Sequence, residues 1–484
     1  MQRKFILNLI LLLVLNFLVK PFYIVGIDAE IIDRVGESVY GQYFTILSFT
    51  ILFNIILDFG IINFNTRNIA RHSQLVKKHF SGMFTLRLLL IVPYTVLCFF
   101  GAYLMDYDIS GIAPWLIINQ VIIAFILYFR SILSGLLFFA KDSFISVLDR
   151  ILLIGTCSIL LWGDVTEQEF QIEWFVYAQT VCYSISALFA FLFILPNVGA
   201  LKIKLNIPFA KAILKKSFPF ALLIVLMTFY NRSDSVMLGV LIDDEGVQAG
   251  KYAEGFRLFE ALNMVVFMFA SLLLPIFSRM LKEKKEVTHI LTLAVKMLFS
   301  GGLIIGVTAF FYRAHILDFR YENTSLMADN AFGMLMISFF TISTSFLFST
   351  LLTAAGKLKA LNVTAAIGMT LNVGLNFILI PKYGAYGAAI ASVVTQSLAG
   401  FAQVFIVQKQ FKFKVNRVLL VKMVGLTLLA FSIGVLFQLN PLALELEWSS
   451  EFLIMIGTVT IACIATGLLN PFKMLAIIKE RDTK

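Results

Sequence analysis

Charge is scarce in this chain, and so are the side chains that most often carry metal or acid–base chemistry. Only 14% of the 484 residues are Asp, Glu, Lys or Arg, and there are four histidines and four cysteines. The histidines (His72, His79, His289, His315) lie in or beside loops and do not cluster. The cysteines (Cys98, Cys157, Cys182, Cys463) all fall in apolar stretches without metal-ligand spacing and read as small packing residues. No Gly-rich phosphate loop followed by Lys-Ser/Thr is present, which argues against ATP-driven transport by this chain alone. No catalytic constellation stands out, and nothing implies a cofactor.

What fills the chain is hydrocarbon: 60% of residues are hydrophobic and the mean hydropathy is +0.90. A water-facing fold cannot bury that much apolar surface. A membrane-spanning helix needs about 20 apolar residues, and the sequence divides into fourteen such stretches: 5–26, 39–62, 82–105, 114–138, 144–162, 174–196, 218–241, 254–277, 288–312, 328–352, 361–380, 385–407, 419–438 and 450–470. The expected fold class is an all-α integral membrane protein with 14 transmembrane helices, two six-helix lobes plus two C-terminal helices. The stretches leave no room for a separate catalytic domain. The run at 5–26 is too long for a signal-peptide core and lacks a small-x-small cleavage site, so it reads as a retained first helix.

The segments between stretches alternate in charge. Of the 39 Lys and Arg residues, about 26 lie at the two ends or after even-numbered stretches, and about 5 after odd-numbered ones. The positive-inside rule turns this asymmetry into a topology with both termini in the cytoplasm. Acidic loops (Asp28, Glu30, Asp33 and Glu37; Asp164, Glu167, Glu169 and Glu173; Asp243, Asp244 and Glu245) then lie outside. Basic ones, such as Arg67, Arg71, Lys77 and Lys78, lie inside. The net charge of +10 is thereby a matter of orientation and anionic lipid, not of nucleic acid.

The longest internal connection, 197–217, carries Lys202, Lys204, Lys211, Lys215 and Lys216. It divides the chain into an N-terminal lobe (1–196), a basic cytoplasmic linker (197–217), a C-terminal lobe (218–407) and a final pair of helices with a cytoplasmic tail (408–484). Two lobes suggest a substrate path between them. A weak repeat points the same way: Val39-Tyr40-Gly41-Gln42-Tyr43, Gln248-Ala249-Gly250-Lys251-Tyr252, and Tyr383-Gly384-Ala385-Tyr386-Gly387.

Ionisable residues inside a bilayer mark a substrate or ion path, or pair with one another. The candidates are Lys20, Asp58, Arg87, Arg130, Asp149, Arg150, Arg232, Asp234, Glu254, Arg257, Glu260, Lys296 and Lys422, eight basic against five acidic. That surplus suits an anionic cargo. Arg232, Arg130, Lys296, Lys20 and Arg257 are the candidates for a cationic cavity. Asp234, Asp58, Glu254, Asp149 and Arg67 are those for ion coupling or gating. Arg87 and Lys422 sit near helix ends and are expected to snorkel. Glu254, Arg257 and Glu260 share one helix face and can form an ion triad. Arg232 and Asp234, two apart, point to different sides and are expected to meet partners on other helices.

Three segments together carry a resemblance: Leu57-Asp58-Phe59-Gly60 through Arg67-Asn68-Ile69-Ala70-Arg71; Arg232-Ser233-Asp234-Ser235-Val236-Met237-Leu238-Gly239 with Ala249-Gly250-Lys251-Tyr252; and Ala354-Ala355-Gly356-Lys357 with Leu371-Asn372, Leu375-Asn376 and Ile380-Pro381-Lys382-Tyr383-Gly384. In this order the chain resembles the polysaccharide-type (O-antigen and capsule repeat-unit) flippases of the multidrug/oligosaccharidyl-lipid/polysaccharide (MOP) exporter superfamily. The resemblance implies a non-enzymatic, multi-pass protein of the bacterial cytoplasmic (inner) membrane. It would move undecaprenyl-diphosphate-linked oligosaccharide to the external leaflet by alternating access. It further implies a cationic cavity for the diphosphate, with Arg232 and Asp234 matching the family pattern best, and polymerase and glycosyltransferase partners. The competing readings are an ion-coupled drug or metabolite antiporter, a peptidoglycan-precursor (lipid II) flippase, and a membrane glycosyltransferase or polymerase. The basic surplus disfavours the first, and the short external loops disfavour the last.

Overall fold

The structure, a computed structural model, describes residues 15–16, 18–62, 65–66, 69, 74–104, 111–136, 138–163, 165, 168–198, 206–413, 416–439 and 447–469. No strand occurs among them. Helices suit a bilayer, because a helix satisfies its own backbone donors and acceptors where no water can. Ten helical segments among the described residues are long and apolar enough to cross a membrane.

The helices are α1 Ala29–Leu52, α2 Ile55–Asp58, α3 Leu75–Leu104, α4 Ala113–Gly135, α5 Phe139–Trp162, α6 Ile172–Ile194, α7 Ile207–Leu241, α8 Val247–Lys282, α9 Thr288–Phe311, α10 Arg313–Arg320, α11 Leu326–Ala354, α12 Leu358–Phe411, α13 Arg417–Leu439 and α14 Trp448–Ala465. A π-helical turn, Tyr23–Asp28, precedes α1. Several of these run past the expected boundaries. The segment Leu18–Asp58 and the 54-residue α12 each join two expected stretches. Each is broken by one glycine with a backbone that other residues rarely adopt, Gly36 at φ 81° and Gly384 at φ 54°.

The acidic segment expected as an external loop after the first stretch is therefore helical. Asp28 ends the π-helical turn and is only 1% exposed, so it lies in the interior and not in a solvated loop. The reason is electrostatic: a cation on α8 neutralises it there, as described below. The basic connection also shortens, since α7 begins at Ile207, while Lys202 and Lys204 lie outside the described residues.

The chain forms two compact units. The first comprises residues 1–261 and 365–385, the second 262–364 and 386–484. In the first, Phe49, Leu52, Tyr94, Cys98, Ile117 and Val236 build an apolar core. In the second, Phe299, Leu303 and Phe311 of α9 pack with Leu426 and Ala430 of α13 and with Met455, Val459 and Cys463 of α14. The outer faces of α13 and α14 stay apolar, with Val421 68% and Ile461 67% exposed. Such a surface is stable against acyl chains and not against water. All four cysteines are free and buried, as small packing residues should be.

The repeat motifs meet in the first unit. A Cβ on Gly41 would stand 1.9 Å from the Gly246 carbonyl oxygen, and one on Gly250 would stand 2.0 Å from that of Glu37. Backbone thus touches backbone where α1 crosses the start of α8, the close approach small residues permit in membranes. Around it, Ser38 Oγ and Gln42 Nε2 both donate to the Glu245 carbonyl, at 2.7 and 2.9 Å. The amide of Ala385, in the third motif, donates to Gln248 Oε1 at 3.0 Å.

Candidate functional site

Most of the expected site residues gather inside the first unit, in four groups. The largest runs from the π-helical turn to α7 and α8. Arg257 Nε lies 2.7 Å from Asp28 Oδ2 and donates to Tyr40 Oη at 2.9 Å, and Tyr40 in turn donates to Asp28 at 3.0 Å. Arg257 Nη1 also holds Glu260 Oε2 at 3.0 Å, while the other oxygen of Glu260 is bound by Arg232. The two guanidiniums lie over aromatic faces, Arg257 over Phe44 and Arg232 over Phe256, at 5.0 and 5.2 Å. Spacing of three on α8 produces the Arg257–Glu260 pair, as the sequence suggests. Glu254, on the same helix, is 1% exposed.

A second group surrounds Lys20, where the chain enters the π-helical turn. Its electrostatic neighbours are Arg150, Arg130 and Asp149. Arg130 is bonded to Asp142 at 2.7 Å, and Asp142 is buried in the first turn of α5. Arg150 lies only loosely against Asp149, at 3.8 Å. Its guanidinium instead sits over Tyr23 at 4.6 Å and donates to Tyr183 Oη at 3.1 Å. Arg150 also acts on Asp28, so these two groups share one electrostatic field. Lys20 is half-buried and makes no ion pair among the described residues.

Asp234 anchors the third group. It accepts from Tyr252 Oη at 3.0 Å and from Asn376 Nδ2 at 2.6 Å. Asn376 also donates to Asn372 Oδ1, which accepts from Ser233 at 2.9 Å. Asn376 Oδ1 and Asn372 Nδ2 are buried without a hydrogen-bond partner among the described residues. The two-residue offset gives Arg232 and Asp234 different partners: Arg232 meets Glu260 on α8, and Asp234 meets Tyr252 on α8 and Asn376 on α12.

In the fourth group Asp58 and Arg87 are joined by a short ion pair, and Arg87 donates to the Ala124 carbonyl at 2.6 Å. Arg87 is 2% exposed, which overturns the expectation that it snorkels: Asp58 and the face of Tyr128 hold it inside. Lys422 does sit exposed and donates to the Thr466 carbonyl that ends α14. Lys296 is half-buried on α9 in the second unit and makes no ion pair among the described residues. Arg67 lies outside the described residues.

The geometry gives these cations partners that the apolar runs alone do not show. Arg232 and Arg130 are not bare cations, since each is bonded to a carboxylate. The positive surplus also shrinks once Asp28 and Asp142 are counted as interior groups. Both looked like loop residues because they fall just beyond the apolar runs. Tyr23 and Tyr183 are not legible as site residues, because an aromatic residue in an apolar stretch carries no signal of its own. Tyr40 was legible only as part of the glycine motif.

A buried set of arginines, carboxylates and amides on long apolar helices defines a class: multi-pass membrane transporters. Solved structures with this fold include the lipid II flippase MurJ in an inward closed conformation (TM-score 0.70, 16% identity, covering 95% of this chain and 98% of that one). They also include an inward-facing multidrug resistance MATE family transporter of the MOP superfamily (0.63, 15%, 84% and 98%). A third is a MOP superfamily transporter from Pyrococcus furiosus whose binding pocket has reverse polarity (0.54, 16%, 84% and 94%). The chain belongs to the polysaccharide biosynthesis protein family, whose sequence profile matches residues 7–281. Comparison with curated protein sequences gave no match.

Proposed function

We propose that this protein is a flippase. It carries undecaprenyl-diphosphate-linked oligosaccharide repeat units from the cytoplasmic to the external leaflet by alternating access, for O-antigen or another surface polysaccharide. The observation that carries the reading is the Lys20 group, a half-buried amine with two guanidiniums as electrostatic neighbours and no carboxylate of its own within ion-pair distance among the described residues. In a medium of low dielectric such a site attracts a diphosphate far more strongly than water-exposed lysines do. Family membership supplies the polysaccharide context.

In this reading the headgroup is held by Lys20, Arg130 and Arg257, with Arg232 and Lys296 entering at other stages of the cycle, while the polyprenyl tail stays in lipid. Sugar hydroxyls find Asn and Thr side chains on the helices. Asp234, held between Tyr252 and Asn376, is the first candidate for coupling to an ion gradient, since Asn376 Oδ1 beside it has no donor among the described residues. Asp58, Glu254, Asp149 and Arg67 are the remaining gating candidates. The Gly41–Gly250 seam is a closed gate, and the lobes 1–196 and 218–407 move about the 197–217 linker. The protein resides in the bacterial cytoplasmic membrane with both ends inside and works beside the polymerase and glycosyltransferases of its pathway.

The test is genetic and chemical. Deletion of the gene should make the lipid-linked repeat unit accumulate on the cytoplasmic leaflet, and normal translocation in the deletion strain would refute the reading. Rescue of a strain depleted of its peptidoglycan-precursor flippase would reassign the cargo to lipid II.

A further inference from the structure

We propose that Glu260 is an internal counter-anion, a stand-in for substrate that a lipid diphosphate displaces from Arg232 and Arg257. The inference rests on the flippase reading and adds a residue and a step to it. Glu260 spends one oxygen on each guanidinium, Oε1 on Arg232 and Oε2 on Arg257. These are the donors that an anionic headgroup requires. With Asp28 included, the cluster holds two guanidiniums and two carboxylates. It is neutral, and as it stands it has little attraction for another anion.

One carboxylate must therefore leave before a diphosphate can bind, and the geometry distinguishes the two. The Asp28 side chain is 2% exposed and is clamped by both Tyr40 and Arg257. The Glu260 side chain is 23% exposed and, among the described residues, is bonded only by the two arginines. It also sits one turn from Arg257 on α8, so a rotamer change moves it while the helix stays in place. Arg232 Nη1 is buried with no hydrogen-bond partner among the described residues, leaving a donor in reserve for an incoming oxygen.

Such a residue solves a problem peculiar to a carrier of anions. After release, two cations would be stranded in a site of low dielectric, and an uncompensated buried charge is strongly destabilising. Glu260 re-forms the pairs and lets the empty protein return. It also weakens binding enough that the cargo can depart. Affinity is reduced by the fraction of time that the arginines are occupied.

The experiment compares wild type and Glu260→Gln, full length and purified in detergent, by titration with farnesyl diphosphate, farnesyl monophosphate and inorganic pyrophosphate. Glu260→Gln should bind the two diphosphates about tenfold more tightly. In reconstituted vesicles its turnover should fall, so that affinity and rate move in opposite directions. A merely structural Glu260 would lower thermal stability and would not tighten binding. Equal or weaker diphosphate binding by Glu260→Gln, with wild type binding normally, overturns this inference and leaves the flippase reading intact. If neither protein binds any of the three probes, both fall. Should Glu260→Gln fail to fold, difference infrared spectroscopy on wild type decides, with Glu260→Asp assigning the band. Pyrophosphate must shift the Glu260 carboxylate stretch to that of a carboxylate freed from guanidinium, and an unmoved band overturns the inference.

Discussion

Asp28 and Arg257 illustrate how far a residue's neighbours decide its meaning. In sequence, Asp28 opens an acidic segment at a membrane boundary. In the fold it is buried against Arg257 and Tyr40. Removing one partner of a buried pair costs about 3–5 kcal/mol, because the other charge is left uncompensated. Arg257→Ala should lower thermal stability by that order in a detergent unfolding assay, and adding Asp28→Asn should recover part of it. Lys20 and Lys296 make no ion pair among the described residues, so Lys20→Gln and Lys296→Gln should abolish or sharply reduce translocation with membrane abundance unchanged, as read by immunoblot. Lys422→Gln should leave transport near normal. Arg130→Glu would face Asp142, and its loss of abundance should be restored by the exchange Arg130→Asp with Asp142→Arg. The identity of the interior cations was legible in the sequence, since a charge in the middle of an apolar run is conspicuous. Their partners were not, because Asp28 and Asp142 sit beyond those runs and are drawn inside only by tertiary contacts.

The helices show the same division. Apolar length marked both glycine breaks as gaps between stretches, at 27–38 and 381–384, but did not show that the helical backbone continues on either side of each. Gly36 and Gly384 interrupt helices that otherwise run on, and a glycine at a break looks like any interfacial glycine in sequence. The glycine–tyrosine repeat was visible as a pattern, but not as a contact: Gly41 and Gly250 abut each other's helix, with no space for a side chain on either. Gly41→Leu should force α1 away from α8. A short thiol cross-linker should join Ser38→Cys to Glu245→Cys in the otherwise unaltered protein, since the Ser38 hydroxyl reaches the Glu245 carbonyl at 2.7 Å. Introducing Gly41→Leu should abolish that cross-link, and its persistence would show that the seam tolerates the side chain.

For the whole molecule, charge asymmetry between loops makes a claim that labelling can check. A cysteine at Asp243 should react with an impermeant maleimide in intact cells, and one at Lys409 only after permeabilisation. The opposite pattern would invert the topology. Composition established a membrane protein, and the ordered motifs pointed to a family whose profile then matched residues 7–281. The compact units were not legible, because which helices cluster depends on contacts such as Asn376 with Asp234, 142 positions apart. The central claim is that this fold moves a phosphorylated glycolipid. The most direct measurement is translocation of a fluorescent polyprenyl-diphosphate oligosaccharide in vesicles holding only the purified protein. Wild type should flip it well above the rate of empty vesicles and Lys20→Glu should not. A wild-type rate equal to that of empty vesicles, with gradient-driven extrusion of a cationic dye by the same preparation, would contradict the account.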